Sequence, residues 1–331
     1  MTDLRDGYDA LLLDLDGTLY RGKLGIPGTR EALASGSQPL YYVTNNASRR
    51  PSVVAEHLIE LGFDADESRV VTSAQSAARL LAENVVPDSA VLVVGTEALA
   101  EEVGRVGLNP VRSFADSPAA VVQGHSPTTD WAILAEATLA IRSGAVWVAA
   151  NVDSTLPTDR GLVLGNGSMV AALRAATSHA PLVAGKPAAP LLEDAMRLSG
   201  SIRPLVVGDR LDTDIEGANA VGVDSLLVLT GVSTPLDVLR AAEGQRPTYL
   251  AAGLDALNAP AENSRICEDS RWSVEFDGTD LVIESTAVPS ESVDSTALLR
   301  TTAVGAWKFP EFDRITSTSP AVSAVVSEWG N

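Results

Sequence analysis

Four apolar runs in this chain break off at residues that carry chemistry, and that pattern restricts the fold more than any other feature. DALLLDLD ends at Asp14 and Asp16, PLYYVTNN at Thr44 to Asn46, PLVAGK at Lys186, and PLVVGD at Asp209. Apolar runs without polar alternation belong to strands covered on both faces, the usual condition of parallel sheets. Helical patterns lie between them: PSVVAEHLIELG opens on a proline and stops at a glycine, as helices do. AVLVVG, AAVVQG and AVWVAANVD repeat the strand pattern. The alternation predicts an α/β fold with parallel sheets. Ligands of such sheets gather at the carboxyl ends of strands, so four reactive ends are expected to converge on one crevice.

Two carboxylates at the tip of a buried strand need compensation, because removing an unpaired charge from water is expensive. The whole chain sharpens this need: it has 331 residues and a formal net charge of −19. Nucleic-acid binding through phosphate neutralisation is disfavoured, since there is no basic surplus to displace counterions. Any phosphate site must draw its positive potential from a cation, a lysine or backbone amides. Cys267 is the single cysteine, which excludes an intrachain disulfide and a cysteine-cluster metal site. No apolar stretch is long enough to span a bilayer, and MTDLRDGYDA lacks the basic and apolar regions of a secretory signal. A cytoplasmic protein without membrane partners is expected.

DLDGT (Asp14 to Thr18), Thr44 in YYVTNN, Lys186 in AGKP and VVGDRLDTDIEGANAVG occur in this order along the chain. Together they resemble the four motifs of the haloacid dehalogenase superfamily of magnesium-dependent phosphotransferases. NVDSTLPTDRGLVLGNGSMVAAL is similar to the inserted type II cap of the branch that contains glycerol-3-phosphate, phosphoglycolate and p-nitrophenylphosphatase-like enzymes. The resemblance covers roughly residues 8 to 235 and implies a Rossmann-like core with a parallel sheet and an inserted α/β cap. It implies Asp14 as nucleophile and Asp16 as general acid and base. Mg²⁺ would be held by Asp14, the backbone carbonyl of Asp16 and Asp209, with Asp214 supporting from behind. Thr44, the amides of Asn45 and Asn46, and Lys186 would bind phosphate. Gly17 would let the chain turn toward it. In the cap, Asn151, Asp153 and Arg160 would shape a specificity loop over residues 151–161. These roles suit a phosphomonoester, whose negative charge makes its cleavage largely a matter of positioning and charge neutralisation.

The expected domains are a catalytic core over residues 1–86 and 182–260, a cap over 87–181, and a C-terminal extension over 261–331. In the extension, RWSVEFDGTDLVIES alternates around Asp277-Gly278 and reads as a β-hairpin. STAVPSESVDSTALLRTTAVG reads as partly extended, and RTTAVGAW distantly resembles an acyl-CoA-binding loop. A structural or homo-oligomerisation role is expected of this extension. His57 and His179 read as structural residues, His125 as a cap residue, and Tyr20 with Arg21 as a flap or as packing. The expected reaction is hydrolysis of a small phosphomonoester, foremost glycerol 3-phosphate. Phosphoglycolate hydrolysis, phosphoryl transfer by a phosphomutase and a non-enzymatic phospho-receiver are the alternatives.

Overall fold

The structure, a computed structural model, describes residues 2–158, 160–286 and 293–330. It divides into two compact units, residues 1–39 with 201–331, and residues 40–200.

In the first unit, strand Ala10–Leu13 pairs with Pro204–Gly208, which pairs with Ser225–Val228, which pairs with Tyr249–Ala251, all parallel. Leu11, Leu12 and Leu13 are all fully buried, so both faces of the strand are covered and the sequence has no reason to alternate. Leu13 lies opposite Val207, and the Asp14 amide still donates to the Val207 carbonyl at 2.8 Å. The register therefore delivers Asp14 and Asp209 to neighbouring strand ends. A π-helical turn, Leu211–Ile215, follows the second of these strands and carries Asp214.

The C-terminal extension belongs to this unit's own core. Strands Trp272–Phe276 and Leu281–Ser285 form the expected antiparallel hairpin, and Ile315–Ser317 adds a parallel third strand. Leu227, Val238, Leu239 and Leu250 share one apolar cluster with Trp272, Leu281, Ile283, Leu298 and Ala303. The Trp307 indole donates to the Val238 carbonyl at 2.9 Å, and Arg300 to the Leu250 carbonyl at 3.1 Å.

The expectation of extended chain before this point is corrected in part. Ser295–Ala306 is a helix, capped by Asp294, whose side chain accepts from the Ala297 amide; residues 287–292 lie outside the described residues. The helix is buried nearly all round, which removes the polar stripe that would have announced it. Its Thr302 hydroxyl donates to the Leu298 carbonyl at 2.8 Å, so a residue with low helical preference is satisfied within the helix. RTTAVGAW thus lies along a buried helix and its end, not in a ligand-binding loop.

The second unit holds a parallel pair, Leu40–Thr44 with Val70–Thr72. It also holds a five-stranded parallel sheet in the order Leu182–Val183, Val146–Ala149, Ala120–Gln123, Ala90–Val94, Asn109–Val111. Apolar clusters line both faces of that sheet, one including Leu81, Leu99 and Val103, the other Ile141, Val170 and Leu173. An antiparallel hairpin, Thr155–Thr158 with Gly161–Leu164, follows the strand Val146–Ala149. Among the described residues, no helix is long and apolar enough to cross a membrane.

Because the extension completes the first unit's core, Leu298→Ala should lower stability by about 2–5 kcal/mol, the range for a buried leucine truncation. Truncation after Pro260 should uncover Leu227, Val238 and Leu250 and yield a protein of reduced solubility. Chemical denaturation of the point variant and sedimentation of the truncated chain check both; wild-type behaviour in each would show that the extension is dispensable to the core.

Candidate active site

The first unit gathers three carboxylates. Asp14, Asp209 and Asp214 each place an oxygen within 4.8 Å of the others. Asp209 is 0% and Asp214 1% exposed, while Asp14 is half-buried. Water cannot stabilise so much like charge at so small a separation. The chain supplies some donors: the Val232 amide reaches Asp209 Oδ2 at 2.7 Å, Thr18 Oγ1 reaches Oδ1 at 3.3 Å, and the Arg210 amide reaches Asp214 at 3.1 Å. Two glycines make room for this packing. A Cβ at Gly17 or at Gly231 would overlap the Asp209 carboxylate, and Gly17 also holds a left-handed φ of +93°. All-oxygen donors at this spacing suit a hard divalent cation such as Mg²⁺ or Ca²⁺, and neither histidine nor cysteine joins the cluster.

Asp16 is exposed at the turn that follows Asp14. The Gly17 amide donates to the Tyr20 carbonyl at 2.7 Å, and Asp16 and Tyr20 form an isolated bridge. Tyr20–Arg21 pairs with Leu24–Gly25 as a short hairpin. Arg21 Nε donates to the Thr230 carbonyl at 2.8 Å, and the Thr230 hydroxyl donates to the Gly17 carbonyl at 2.7 Å. The flap reading of Tyr20 and Arg21 thus has a tethered hairpin behind it.

The second unit assembles the other expected residues. Thr44 ends its strand, and its hydroxyl accepts from the Asn46 amide at 3.1 Å. Asn46 Oδ1 accepts from the Ser48 amide and hydroxyl at 2.8 and 2.9 Å. Asn45 Nδ2 donates to the Lys186 carbonyl at 2.9 Å and to the Asp153 carboxylate at 3.3 Å. Lys186 is 2% exposed, and its Nζ donates to the Val43 carbonyl at 3.2 Å. A lysine so buried is rare unless its charge is used or compensated. The two residues form a reciprocal clasp: Lys186 holds the strand end, and Asn45 holds the Lys186 backbone. Asn151 joins the group by donating from Nδ2 to the Asn45 carbonyl at 2.7 Å. Arg160 does not; it is exposed in the turn of the 155–164 hairpin.

Two further residues reach this group without any pattern in the sequence to single them out. Asn166 begins a helix and donates to the Asn151 carbonyl at 2.7 Å. Ser73 donates to the Asn45 carbonyl at 2.6 Å. The signals available were small: Gly165 before Asn166, and Gly231 just beyond a strand. His125 follows the strand Ala120–Gln123, and burial holds its imidazole below the usual histidine range, hence neutral at pH 7. His57 lies in the helix Pro51–Glu60, and His179 Nδ1 sits 2.8 Å from the Thr177 carbonyl.

Residues 11–109 match the haloacid dehalogenase-like hydrolase family and residues 183–257 the HAD-hydrolase-like family. The chain is 54% identical over 278 residues to the D-glycerol 3-phosphate phosphatase of Mycobacterium tuberculosis, an overlap of 84% of this chain and 79% of that protein. It belongs to the haloacid dehalogenase-like hydrolase family. The crystal structure of the M. tuberculosis glycerol phosphate phosphatase in complex with magnesium superposes with a TM-score of 0.94 at 48% identity, covering 99% of both chains. The p-nitrophenyl phosphatase of Archaeoglobus fulgidus superposes with a TM-score of 0.69 at 27% identity, covering 76% of this chain and 98% of that one. The α/β architecture with parallel sheets is accordingly that of haloacid dehalogenase-like hydrolases, and the chain is an enzyme of that family.

Gly231→Ala tests the packing of the carboxylates. Its methyl group would displace Asp209, so the variant should lose most of the rise in Tm that Mg²⁺ gives the parent, through weaker linkage of binding to folding. Thermal scans over a Mg²⁺ titration measure this; an unchanged rise would separate Gly231 from cation binding.

Proposed function

We propose that this enzyme hydrolyses small phosphomonoesters with Mg²⁺, and that glycerol 3-phosphate is its preferred substrate. The observation that carries the reading is the buried cluster of Asp14, Asp209 and Asp214. The similarity to a D-glycerol 3-phosphate phosphatase and to a magnesium complex supports it. Asp14, Asp209 and the Asp16 carbonyl would hold Mg²⁺, with Asp214 as a supporting group, and the ion would supply positive charge near the phosphoryl oxygens.

The chain's own groups perform the proton and bond changes. The Asp14 carboxylate attacks phosphorus, an aspartyl phosphate forms, and the ester oxygen leaves with the proton of Asp16. Asp16, now ionised, takes a proton from water as that water attacks the aspartyl phosphate; inorganic phosphate departs and both acids return to their first state. Exposure of Asp16 at its turn suits a group that must exchange protons with a leaving group and with water. Thr44, the amides of Asn45 and Asn46, and Lys186 bind the phosphate, and Gly17 permits the turn that directs Asp16.

We propose a domain division into a core over 1–86 and 182–260, a cap over 87–181 and an extension over 261–331. A family match that ends at residue 257, and a relative that matches 76% of this chain with 98% of its own length, support a catalytic and cap portion without the last stretch. The extension has a structural role, consistent with its share of the apolar core. A net charge of −19 disfavours a second anionic group on the substrate, which ranks glycerol 3-phosphate above phosphoglycolate. The single cysteine suits a cytoplasmic enzyme.

Asp14→Asn should abolish turnover while leaving the fold intact by circular dichroism. Asp16→Asn should lose far more activity on glycerol 3-phosphate than on p-nitrophenyl phosphate, whose leaving group needs little protonation; equal losses would remove Asp16 from the acid role. In a substrate panel, kcat/KM should be highest for glycerol 3-phosphate. A nucleotide or phosphoglycolate ranked first would overturn the substrate, and phosphoryl transfer to a sugar phosphate in preference to water would make the enzyme a mutase.

A further inference from the structure

Three asparagines in the second unit are linked in series, each side-chain amide donating to the backbone carbonyl of the next residue in that series. Asn166, at the start of the helix Asn166–Thr177, donates to the Asn151 carbonyl at 2.7 Å. Asn151, just beyond the strand Val146–Ala149, donates to the Asn45 carbonyl at 2.7 Å. Asn45 donates in turn to the Lys186 carbonyl at 2.9 Å and to the Asp153 carboxylate at 3.3 Å. The first two residues are buried, at 1% and 5% exposure. The Asn45 carbonyl also accepts the Ser73 hydroxyl at 2.6 Å, so the peptide that leads into Asn46 is gripped from two sides.

A residue of the specificity loop would be expected to turn its polar end toward the substrate. Asn151 does the reverse. Its Nδ2 is committed to Asn45, and its Oδ1 accepts from the Asp153 amide at 3.4 Å. Both ends of the amide are engaged by the chain itself. Space around the next amide is equally restricted: a Cβ at Gly185 would lie 2.6 Å from Asn45 Oδ1 and 2.7 Å from the Ala150 carbonyl. Asn45 cannot move without Lys186 and Asp153 losing a partner.

We infer that Asn151 is a positioning residue and not a substrate contact: through the Asn45 carbonyl it fixes the turn after Thr44, and through Asn45 it fixes the backbone of Lys186 and the start of the specificity loop. The inference rests on the assignment of that turn and Lys186 to phosphate binding. Reaction rates respond steeply to small displacements of binding groups. Loosening this series should therefore affect every phosphate ester, whatever its leaving group.

The test uses the full-length Mg²⁺ enzyme and its Asn151→Ala, Asn151→Ser and Asn166→Ala variants. Inorganic phosphate is the binding probe, followed by calorimetry; p-nitrophenyl phosphate and glycerol 3-phosphate are the kinetic probes. Asn151→Ala should bind phosphate about tenfold more weakly and lose about tenfold in kcat on both esters, each factor corresponding to about 1.4 kcal/mol. Asn151→Ser keeps a hydroxyl donor and should recover part of both losses. Asn166→Ala, one bond further away, should show the same signature at roughly two- to fivefold.

A rise in KM confined to glycerol 3-phosphate, with phosphate affinity unchanged, would make Asn151 a contact to substrate hydroxyls and overturn the inference. Wild-type phosphate affinity in a folded Asn151 variant would overturn it as well. If Asn151→Ala fails to fold, wild-type phosphate affinity in Asn166→Ala decides against it. A parent enzyme that turns over p-nitrophenyl phosphate but not glycerol 3-phosphate would remove the substrate reading alone, and the phosphate measurement would still decide this one.

Discussion

Three carboxylates held together, two of them fully buried, impose the condition that the first unit is built to meet. The parallel pairing that sets Leu13 opposite Val207 leaves Asp14 and Asp209 side by side, and the π-helical turn brings Asp214 to the same place. Repulsion among them would open the site if the chain were free to yield. It is not free: the strands leading in are apolar and buried, and the Val232 and Arg210 amides bind the carboxylates directly. Burial of Asp209 and Asp214 beside Asp14 is the kind of arrangement that a cation would relieve more than it would an exposed acidic patch.

The second unit answers the opposite need, a positive charge kept in place. A lysine with its long stem has many rotamers, and a fixed charge requires one of them. Lys186 is restrained at both ends, its ammonium by the Val43 carbonyl and its own carbonyl by Asn45. The amide series from Asn166 through Asn151 continues that restraint into the neighbouring strand ends. Side-chain amides suit this work because each donates to a backbone carbonyl without adding charge.

The strands and the motif residues at their tips were legible in the sequence because buried parallel strands are written as uninterrupted apolar runs and because four spaced motifs constrain one another. DALLLDLD and PLVVGD are examples, as is the hairpin around Asp277-Gly278. What the sequence did not display was anything that depends on a partner far along the chain. Asn166 is an unremarked polar residue until Asn151 is beside it, and Gly231 is an ordinary glycine until Asp209 occupies its missing side chain's space. The helix Ser295–Ala306 was hidden for another reason. Its threonines suggest extended chain, and it is buried nearly all round, so no exposed polar stripe marks it as a helix. The extension was therefore read as an appendage when it is part of the interior.

The order in which this molecule is synthesised is at odds with the order in which its first unit is closed. Ala10–Leu13 leaves the ribosome early, yet its partner Pro204–Gly208 is about two hundred residues away, a wait of roughly ten to forty seconds at usual elongation rates. Through that interval three consecutive leucines have no native strand beside them within the unit. The last apolar layer, from the helix Ser295–Ala306, arrives later still. The second unit, continuous in sequence, can fold first and is the natural nucleus of the nascent chain. Closure of the first unit's sheet and core thus waits on segments made after residue 200, and the yield in a cell should depend on chaperone capacity more than the final stability would suggest.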